Sequence, residues 1–273
     1  MRRGIALLLA LIGMSLAAPA QAAPVLVTLP EGSYRAIAPA DWDGRKPLPL
    51  VVYLHGWRED SAQVLGNEAL VAAALGLGML FVAPDGVDQS WSHVGAPSHK
   101  RDDLAFLHAV IADAERRWPI DKRRLFAAGF SVGGSMVWDL ACHDAQGIAA
   151  FLPFSGDFWT PYPARCETGP VALRHTHAVN DHTFPMEGRT LPIFSGRFHQ
   201  GELKTSFAIL EAADGCAAEP DARAPDGDLD CGRWTRCGGG KELELCLHHG
   251  DHQIQPNWLH RSLLWAMQRV AER

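Results

Sequence analysis

The sequence lacks several features that would place the chain outside the ordinary globular proteins. It has no long low-complexity tract and no internal repeat, which argues against disordered and fibrous classes. It has no excess of basic residues, because 25 Lys and Arg face 31 Asp and Glu and give a formal net charge of −6. Nucleic acids and anionic membranes are therefore poor partners. With 273 residues, of which 47% are hydrophobic, the chain can bury a sizeable core.

The N-terminal apolar run, residues 4–18, is too short for a membrane span. It covers about 15 residues, whereas a spanning helix needs roughly 20. Arg2 and Arg3 precede it, and the small-residue site Ala20-Gln21-Ala22 follows it. This pattern predicts a signal peptide over residues 1–22 and one catalytic domain over residues 23–273; an uncleaved anchor is the alternative. The expected location is secreted or periplasmic, with no membrane association after cleavage.

All six cysteines follow this N-terminal segment. An even number of cysteines in a chain that enters an oxidising compartment predicts disulfides, but their pairing stays open. Four of the six lie within residues 216–246, so at least one bridge is expected there. The six are Cys142, Cys166, Cys216, Cys231, Cys237 and Cys246.

Strand-like and helix-like segments alternate along the chain. This alternation predicts an α/β fold with a mostly parallel sheet and helices on both faces, in which chemistry lies beyond the carboxyl ends of the strands. Residues 213–240 break the pattern and are predicted to form a surface excursion held by disulfides. The predicted strands are 48–55, 79–84, 124–130, 149–155, 171–179 and 242–248. The predicted helices are 61–75, 101–118, 131–142, 202–212 and 257–270.

The segment Gly129-Phe130-Ser131-Val132-Gly133 follows a predicted strand and opens a predicted helix. This is the G-x-S-x-G pattern of a nucleophile elbow in the context that it requires. The turn strains the serine backbone and leaves no room for side chains at its two glycines. We therefore predict that Ser131 is a catalytic nucleophile; an incidental serine in a glycine-rich turn is the alternative.

A serine nucleophile needs a base and a carboxylate, which follow this elbow in the order Asp or Glu, then His. Asp181 comes just after the predicted strand 171–179, and we predict it as the acid, with Asp157 as its rival. The loop after strand 242–248 carries three imidazoles, and we predict His252 as the base. His249 remains open as the base.

The oxyanion hole of such an enzyme uses two backbone amides. The first should be that of Val132, directly after the nucleophile, and the second should come from the loop after strand 48–55, where we predict Trp57. His55, in the same loop, is expected to be structural. Trp57 and Trp91 are predicted to contact the substrate, since aromatic walls suit phenolic acyl groups or sugars.

Several short segments, taken in order, resemble the secreted polyhydroxybutyrate-depolymerase-like and feruloyl or acetylxylan esterases. The resemblance covers about residues 30–260 and implies an α/β-hydrolase fold with a Ser131, Asp181 and His252 triad, an oxyanion hole at Trp57 and Val132, and no metal. One departure is Ala178, where this family usually has a glycine between His177 and the acid. The segments are Leu54-His55-Gly56, Ala83-Pro84-Asp85-Gly86, Asp102-Asp103-Leu104-Ala105-Phe106, residues 129–136, Leu140-Ala141-Cys142 and Gly250-Asp251-His252.

Signals for cofactors and metals are weak. The carboxylates of Asp226, Asp228 and Asp230 alternate as in a calcium loop, but the twelfth position of an EF-hand is Cys237 rather than Glu. No H-E-x-x-H pattern supports zinc. No cofactor and no metal are expected.

The function predicted from the sequence is a secreted serine carboxylic-ester hydrolase. Its partner is an ester substrate that is polysaccharide-linked or a polyester. A peptidase or an acyltransferase with the same triad is one alternative. A catalytically inactive homologue that binds carbohydrate or polymer is another.

Overall fold

The computed structural model describes residues 23–193 and 196–271, so the predicted signal peptide lies outside the described residues. Its strands are β1 (Val25–Leu29), β2 (Gly32–Ile37), β3 (Leu48–Leu54), β4 (Leu80–Pro84), β5 (Ile120–Phe130), β6 (Ala150–Phe154), β7 (Leu173–Ala178), β8 (Arg189–Ile193), β9 (Gly196–Gln200), β10 (Ala222–Asp226), β11 (Leu229–Trp234) and β12 (Leu243–His248). Its α-helices are α1 (Ser61–Gly66), α2 (Glu68–Leu75), α3 (Asp103–Arg117), α4 (Val132–His143), α5 (Leu203–Asp214) and α6 (Pro256–Ala271).

Ten of these strands form one sheet in the order β1-β2-β4-β3-β5-β6-β7-β12-β11-β10. The six central strands, from β4 to β12, run parallel, and an antiparallel hairpin extends the sheet at each edge. The predicted mostly parallel α/β sheet is confirmed. Because the six strands share a direction, the loops after them meet along one edge of the sheet.

The helices cover both faces, and the central strands supply apolar side chains to each. Along β3, Leu50 and Leu54 pack with α3, α4 and α5, whereas Val51 and Tyr53 pack with α1, α2 and α6. This alternation is the period of two that a strand imposes. Both faces are buried, which explains why the central strands are continuously apolar in sequence.

The main differences from the predicted elements arise from local backbone chemistry. The predicted helix 61–75 is two helices, because Asn67 ends α1 and caps α2 by accepting a hydrogen bond from the Leu70 amide at 3.2 Å. The hairpins β1–β2 and β8–β9 were not predicted. Strand β1 is apolar but short and mostly exposed, and β2, β8 and β9 mix polar with apolar residues, so none of them has the buried apolar run that marks the central strands.

The three disulfides are Cys142–Cys166, Cys216–Cys237 and Cys231–Cys246. Two of them hold residues 213–240, as predicted, but this segment is not only an irregular excursion. Its centre is the hairpin β10–β11, which continues the main sheet antiparallel to β12. The buried Arg174 of β7 anchors the hairpin by pairing with Asp226 and with the buried Glu244. This long-range pairing is invisible in the local sequence pattern.

Within residues 23–193 and 196–271, no helix has the length and apolarity that a membrane span requires.

Candidate active site

Ser131 lies between β5 and α4 with a backbone that L-residues rarely adopt. Its φ is 58° and its ψ is −123°, and its amide donates to the Phe154 carbonyl of β6 at 2.9 Å. The serine thus sits on a strained turn at the carboxyl edge of the sheet, directly before the N-terminus of α4. The side chains of most other residues of α4 are buried, so the turn has a rigid support.

Glycines allow this turn to pack closely. A Cβ atom at Gly129 would overlap the Gly133 carbonyl, and one at Gly133 would overlap the carbonyls of Leu54 and His55. A side chain at either glycine would therefore collide with backbone atoms, as predicted. Gly156, in the loop after β6, has the same role, since a Cβ there would overlap the Ser131 carbonyl. Gly156 could not be singled out from the sequence, because only the fold brings it next to the serine.

The structure brings Ser131, His252 and Asp181 into one hydrogen-bonded row. His252 Nε2 lies 3.0 Å from Ser131 Oγ, and His252 Nδ1 lies 2.8 Å from Asp181 Oδ2. Phe130 packs against the imidazole with ring centroids 4.7 Å apart. An Nδ1–H that donates to the carboxylate leaves Nε2 free to accept the serine proton.

The loop after β7 holds Asp181 in place and keeps it ionised. Asp181 Oδ1 accepts hydrogen bonds from the amides of Thr183 at 2.9 Å and Phe184 at 2.7 Å. Burial alone would raise the pKa of Asp181, but the hydrogen bonds from His252 and from the Phe184 amide outweigh it and lower the pKa. The carboxylate is therefore a stable negative partner for an imidazolium.

Asp251 ties the acid loop to the base loop. Its Oδ1 accepts from the His182 amide at 3.0 Å and from the His252 amide at 2.8 Å. One carboxylate therefore connects the loop that carries Asp181 with the loop that carries His252. No role for Asp251 could be predicted from the segment Gly250-Asp251-His252, because nothing local shows that this carboxylate reaches the other loop.

The two predicted oxyanion donors lie where α4 meets the loop after β3. Val132 is the first residue of α4, so its amide is among those without a partner inside the helix. The amides on either side of Trp57 are already engaged, Gly56 with Glu59 at 2.8 Å and Arg58 with the Gln89 carbonyl at 2.9 Å. These bonds fix the peptide that carries the Trp57 amide. The Trp57 side chain is 60% exposed and accessible to a substrate.

His55 and Trp91 belong to the support of this loop. His55 Nδ1 donates to the Gly56 carbonyl at 2.7 Å, its Nε2 accepts from the Gly86 amide at 3.0 Å, and burial lowers its pKa. The Trp91 indole donates to the His55 carbonyl at 2.9 Å and is 1% exposed. The substrate contact predicted for Trp91 is therefore wrong, because the fold places this aromatic ring in the core.

Asp157 and His249, the alternatives for the acid and the base, take no part in the hydrogen bonds that join Ser131, His252 and Asp181. Asp157 is fully buried, and none of the described imidazoles donates to its carboxylate. His249 is exposed and makes no hydrogen bond with Ser131, whereas His248 is buried against Trp258 with ring centroids 4.0 Å apart. Of the three imidazoles in this loop, it is His252 that meets the serine.

Two of the three carboxylates in the weak calcium pattern, those of Asp226 and Asp228, are engaged by arginines. Asp226 pairs with Arg174, and Asp228 Oδ1 lies 3.0 Å from Arg261 Nη1. The Asp228 Oδ2 atom also accepts from the Trp258 indole at 2.9 Å. These contacts give the acidic segment a structural role in fixing the turn between β10 and β11.

Comparison with known proteins supplies sequence relatives and structural neighbours. A probable feruloyl esterase C of Aspergillus terreus is 33% identical over 227 residues, which is 80% of this chain and 75% of the relative. A probable feruloyl esterase C of Aspergillus niger is 29% identical over 238 residues, or 84% and 79% of the two chains. No protein-family model matches the chain.

This chain belongs to the feruloyl esterase family. The predicted family resemblance is thus confirmed, and the protein is a carboxylic ester hydrolase whose substrate is an ester. The α/β-hydrolase fold is shared with solved esterases. The acetyl xylan esterase of Aspergillus awamori superposes with a TM-score of 0.64 at 11% identity, over 90% of this chain and 99% of that one. A feruloyl esterase module of Clostridium thermocellum gives 0.59 at 12% identity, over 92% and 89%.

Behind the acid loop, this esterase has a chain of buried imidazoles. The Trp138 indole donates to His175 Nδ1 at 3.2 Å, His175 Nε2 lies 2.9 Å from His177 Nδ1, and His177 Nε2 lies 2.8 Å from the Phe184 carbonyl. Because the indole can only donate and the carbonyl can only accept, each imidazole is neutral with its proton on Nε2. This series of hydrogen bonds ends at Phe184, whose amide donates to Asp181.

Both imidazoles stay neutral because they are buried. Burial lowers the pKa of His177 despite the opposing hydrogen bond to the Phe184 carbonyl and the charge of Asp181. Burial and the neighbouring His177 lower the pKa of His175 well below its ordinary value. No local sequence signal indicated that His175 and His177 would hydrogen-bond to each other, because the pairing depends on how β7 packs against α4 and on the loop that follows β7.

Replacing His177 by Phe should destabilise the esterase in a pH-dependent way. The change leaves the His175 Nε2–H and the Phe184 carbonyl without partners, so we expect a loss of about 2 kcal/mol or more in the free energy of unfolding at pH 7.5. Below the ordinary value of 6.5, the unfolded wild-type chain binds a proton at His177 that the folded chain does not. The wild type then loses stability through His177 that the variant does not lose, so the advantage of the wild type shrinks by up to about 1.4 kcal/mol per pH unit.

Urea unfolding of both proteins at pH 7.5 and pH 5.5 measures this difference. His182→Phe serves as the control, because His182 is exposed on the loop after β7 and its replacement should change stability by less than about 0.5 kcal/mol. A stability difference between wild type and His177→Phe that is the same at both pH values would show that His177 is not held neutral.

Proposed function

We propose that this esterase cleaves its substrate through an acyl-enzyme formed on Ser131, with His252 as the base and Asp181 as its partner. The observation that carries the proposal is the hydrogen-bonded row, with 3.0 Å between Ser131 Oγ and His252 Nε2 and 2.8 Å between His252 Nδ1 and Asp181 Oδ2. The strained backbone at Ser131 and the N-terminus of α4 support it, since both are features of a nucleophile elbow.

In the first half of the reaction, Ser131 Oγ attacks the ester carbonyl carbon and His252 Nε2 takes the serine proton. The carbonyl oxygen becomes an oxyanion that accepts hydrogen bonds from the Trp57 and Val132 amides. Asp181 stabilises the imidazolium that forms. When the carbonyl is restored, the C–O bond to the alcohol breaks and His252 returns the proton to the leaving oxygen.

In the second half, water replaces the alcohol. His252 takes a proton from water as the hydroxide oxygen bonds to the acyl carbon, and then delivers that proton to Ser131 as the acyl–serine bond breaks. The products are a carboxylic acid and the free enzyme. Each half needs only the three side chains and two amides.

The substrate class that we propose is a phenolic-acid ester of a plant polysaccharide, of the feruloyl type. It is supported by the names of the sequence relatives and by Trp57, whose exposed ring can stack on a phenolic or sugar face. We also propose that residues 1–22 are a signal peptide and that residues 23–273 act as one exported catalytic domain, secreted or periplasmic. Three disulfides support export, because they persist in oxidising compartments.

A substrate panel tests the proposed specificity. We expect methyl ferulate to be hydrolysed with a higher kcat/KM than acetylated xylan or 3-hydroxybutyrate oligomers, measured by release of free acid. A clear preference for either of the other two would replace the feruloyl assignment with an acetylxylan esterase or a polyester depolymerase. Cleavage of a feruloyl amide at a similar rate would indicate a peptidase instead.

A further inference from the structure

A cleft of about 510 Å³ opens at the same edge of the sheet as the triad. Its walls come from three connections that follow parallel strands: residues 94–99 in the loop after β4, Thr160 and Pro161 in the loop after β6, and residues 197–199 of β9, in the connection after β7. Two other clefts lie at the opposite edge, near the starts of β3 and β6. The position of the first cleft therefore puts it within the surface that a bound substrate can reach.

The walls of the cleft are fixed to the triad loops. Arg189, at the base of the β8–β9 hairpin, donates to the His182 carbonyl at 3.1 Å, next to Asp181. The Trp159 indole, directly before Thr160, donates to Ser135 Oγ at 3.1 Å, one helical turn after Ser131. The Thr160 amide donates to the His199 carbonyl at 2.9 Å and joins the two walls. The cleft and the triad thus share one framework.

The ionisable side chains that line the cleft are all basic. They are Arg197, His199 and His99, and no carboxylate is among the lining residues. Within the part of the chain that the structure describes, Arg197 has no carboxylate partner, although the protein is acidic overall. The neighbouring Lys100, by contrast, is paired with Asp88. An exposed guanidinium in a concave site without a counter-charge is suited to a carboxylate ligand.

The rest of the lining suits a sugar ring. Val94, Pro161 and the half-buried Phe198 give apolar surface, and Gly95, with a φ of +74°, lets its loop approach Thr160 more closely than any side chain would allow. A volume of about 510 Å³ falls in the range of small-molecule sites. The combination of an apolar surface and a cation fits an acidic sugar better than a neutral one.

We propose that this cleft binds a carboxylate on the alcohol part of the ester, as carried by a uronic-acid sugar of a polysaccharide. The inference rests on the proposed function. A feruloyl group has only the carboxyl that forms the ester bond, so any free carboxylate on such a substrate belongs to the alcohol. A 3-hydroxybutyrate dimer also carries a carboxylate on its alcohol part, so the two sources must be separated by experiment.

The test compares two matched esters, the 2-O-feruloyl esters of methyl glucuronoside and methyl glucoside, which differ only in a carboxylate against a hydroxymethyl group. We expect wild type to show a KM about tenfold lower for the glucuronoside, with similar kcat, and this preference should shrink as NaCl is raised from about 50 to 500 mM. Arg197→Gln should abolish the preference while leaving methyl ferulate turnover unchanged. The control Arg223→Gln, an exposed arginine on β10, should retain it.

The possible outcomes distinguish a failure of the proposed binding cleft from a failure of the proposed reaction. Equal KM values in wild type, or a preference that survives in Arg197→Gln, would overturn the proposal. If the 3-hydroxybutyrate dimer shows an Arg197-dependent advantage over its methyl ester and the uronoside does not, the ligand is the polyester and not the sugar. If wild type hydrolyses neither feruloyl ester, the proposed function fails, and binding of methyl glucuronoside to Ser131→Ala with and without Arg197→Gln decides the cleft alone.

Discussion

Ser131→Ala is expected to lower kcat for methyl ferulate by about 10⁴-fold or more, because no other group at the elbow can form the acyl bond. The rate that remains should come from the oxyanion amides and substrate binding alone. The substitution removes one hydroxyl from a residue that is already buried, so the fold should persist. Turnover and thermal melting of the same preparation measure both effects.

Ser135→Ala is the matched control for this variant. Ser135 is also buried in the same segment, but its hydroxyl accepts from Trp159 and does not meet His252. We expect it to retain activity within severalfold and to react with a fluorophosphonate probe, whereas Ser131→Ala should not react. Labelling of Ser131→Ala at the wild-type rate would show that the nucleophile is another residue.

The elbow could be predicted from sequence because its requirements are local. A strand, a tight turn with glycines on both sides of Ser131 and a following helix all lie within about 20 consecutive residues, and each constrains the others. Chain order at the ends of two parallel strands indicated Asp181 and the loop that carries His252, and the family resemblance favoured His252 over His249. The sequence therefore indicated which three residues form the hydrogen-bonded row, and the structure gave the distances between them.

The supporting contacts could not be predicted, because they join segments that are distant in sequence. Asp251 accepts a hydrogen bond from His182, 69 positions away, and Gly156, in the loop after β6, packs against the Ser131 carbonyl. Trp91 illustrates the opposite error: a tryptophan in a loop looks exposed in sequence, yet the fold buries its ring against His55. Whether a loop residue faces a substrate or the core depends on tertiary packing, which the local pattern does not contain.

Asp181→Asn is expected to lower kcat by about 10³- to 10⁴-fold with little change in KM. An asparagine can still accept from the Thr183 and Phe184 amides through its carbonyl oxygen, so the loop should keep its shape. Its amide group would then face His252 and donate to Nδ1. The imidazole would carry its proton on Nε2, pointing at Ser131, and could not accept the serine proton.

Asp157→Asn is the control that separates this effect from the loss of any buried carboxylate. Burial raises the pKa of Asp157 well above its ordinary value, which favours the neutral form, and asparagine resembles that form in size and charge. We expect its kcat to stay within severalfold of wild type. If Asp157→Asn lost activity and Asp181→Asn kept it, the acid would be Asp157. If both variants kept it, His252 would act without a carboxylate, and the 2.8 Å contact between Asp181 and His252 would be structural only.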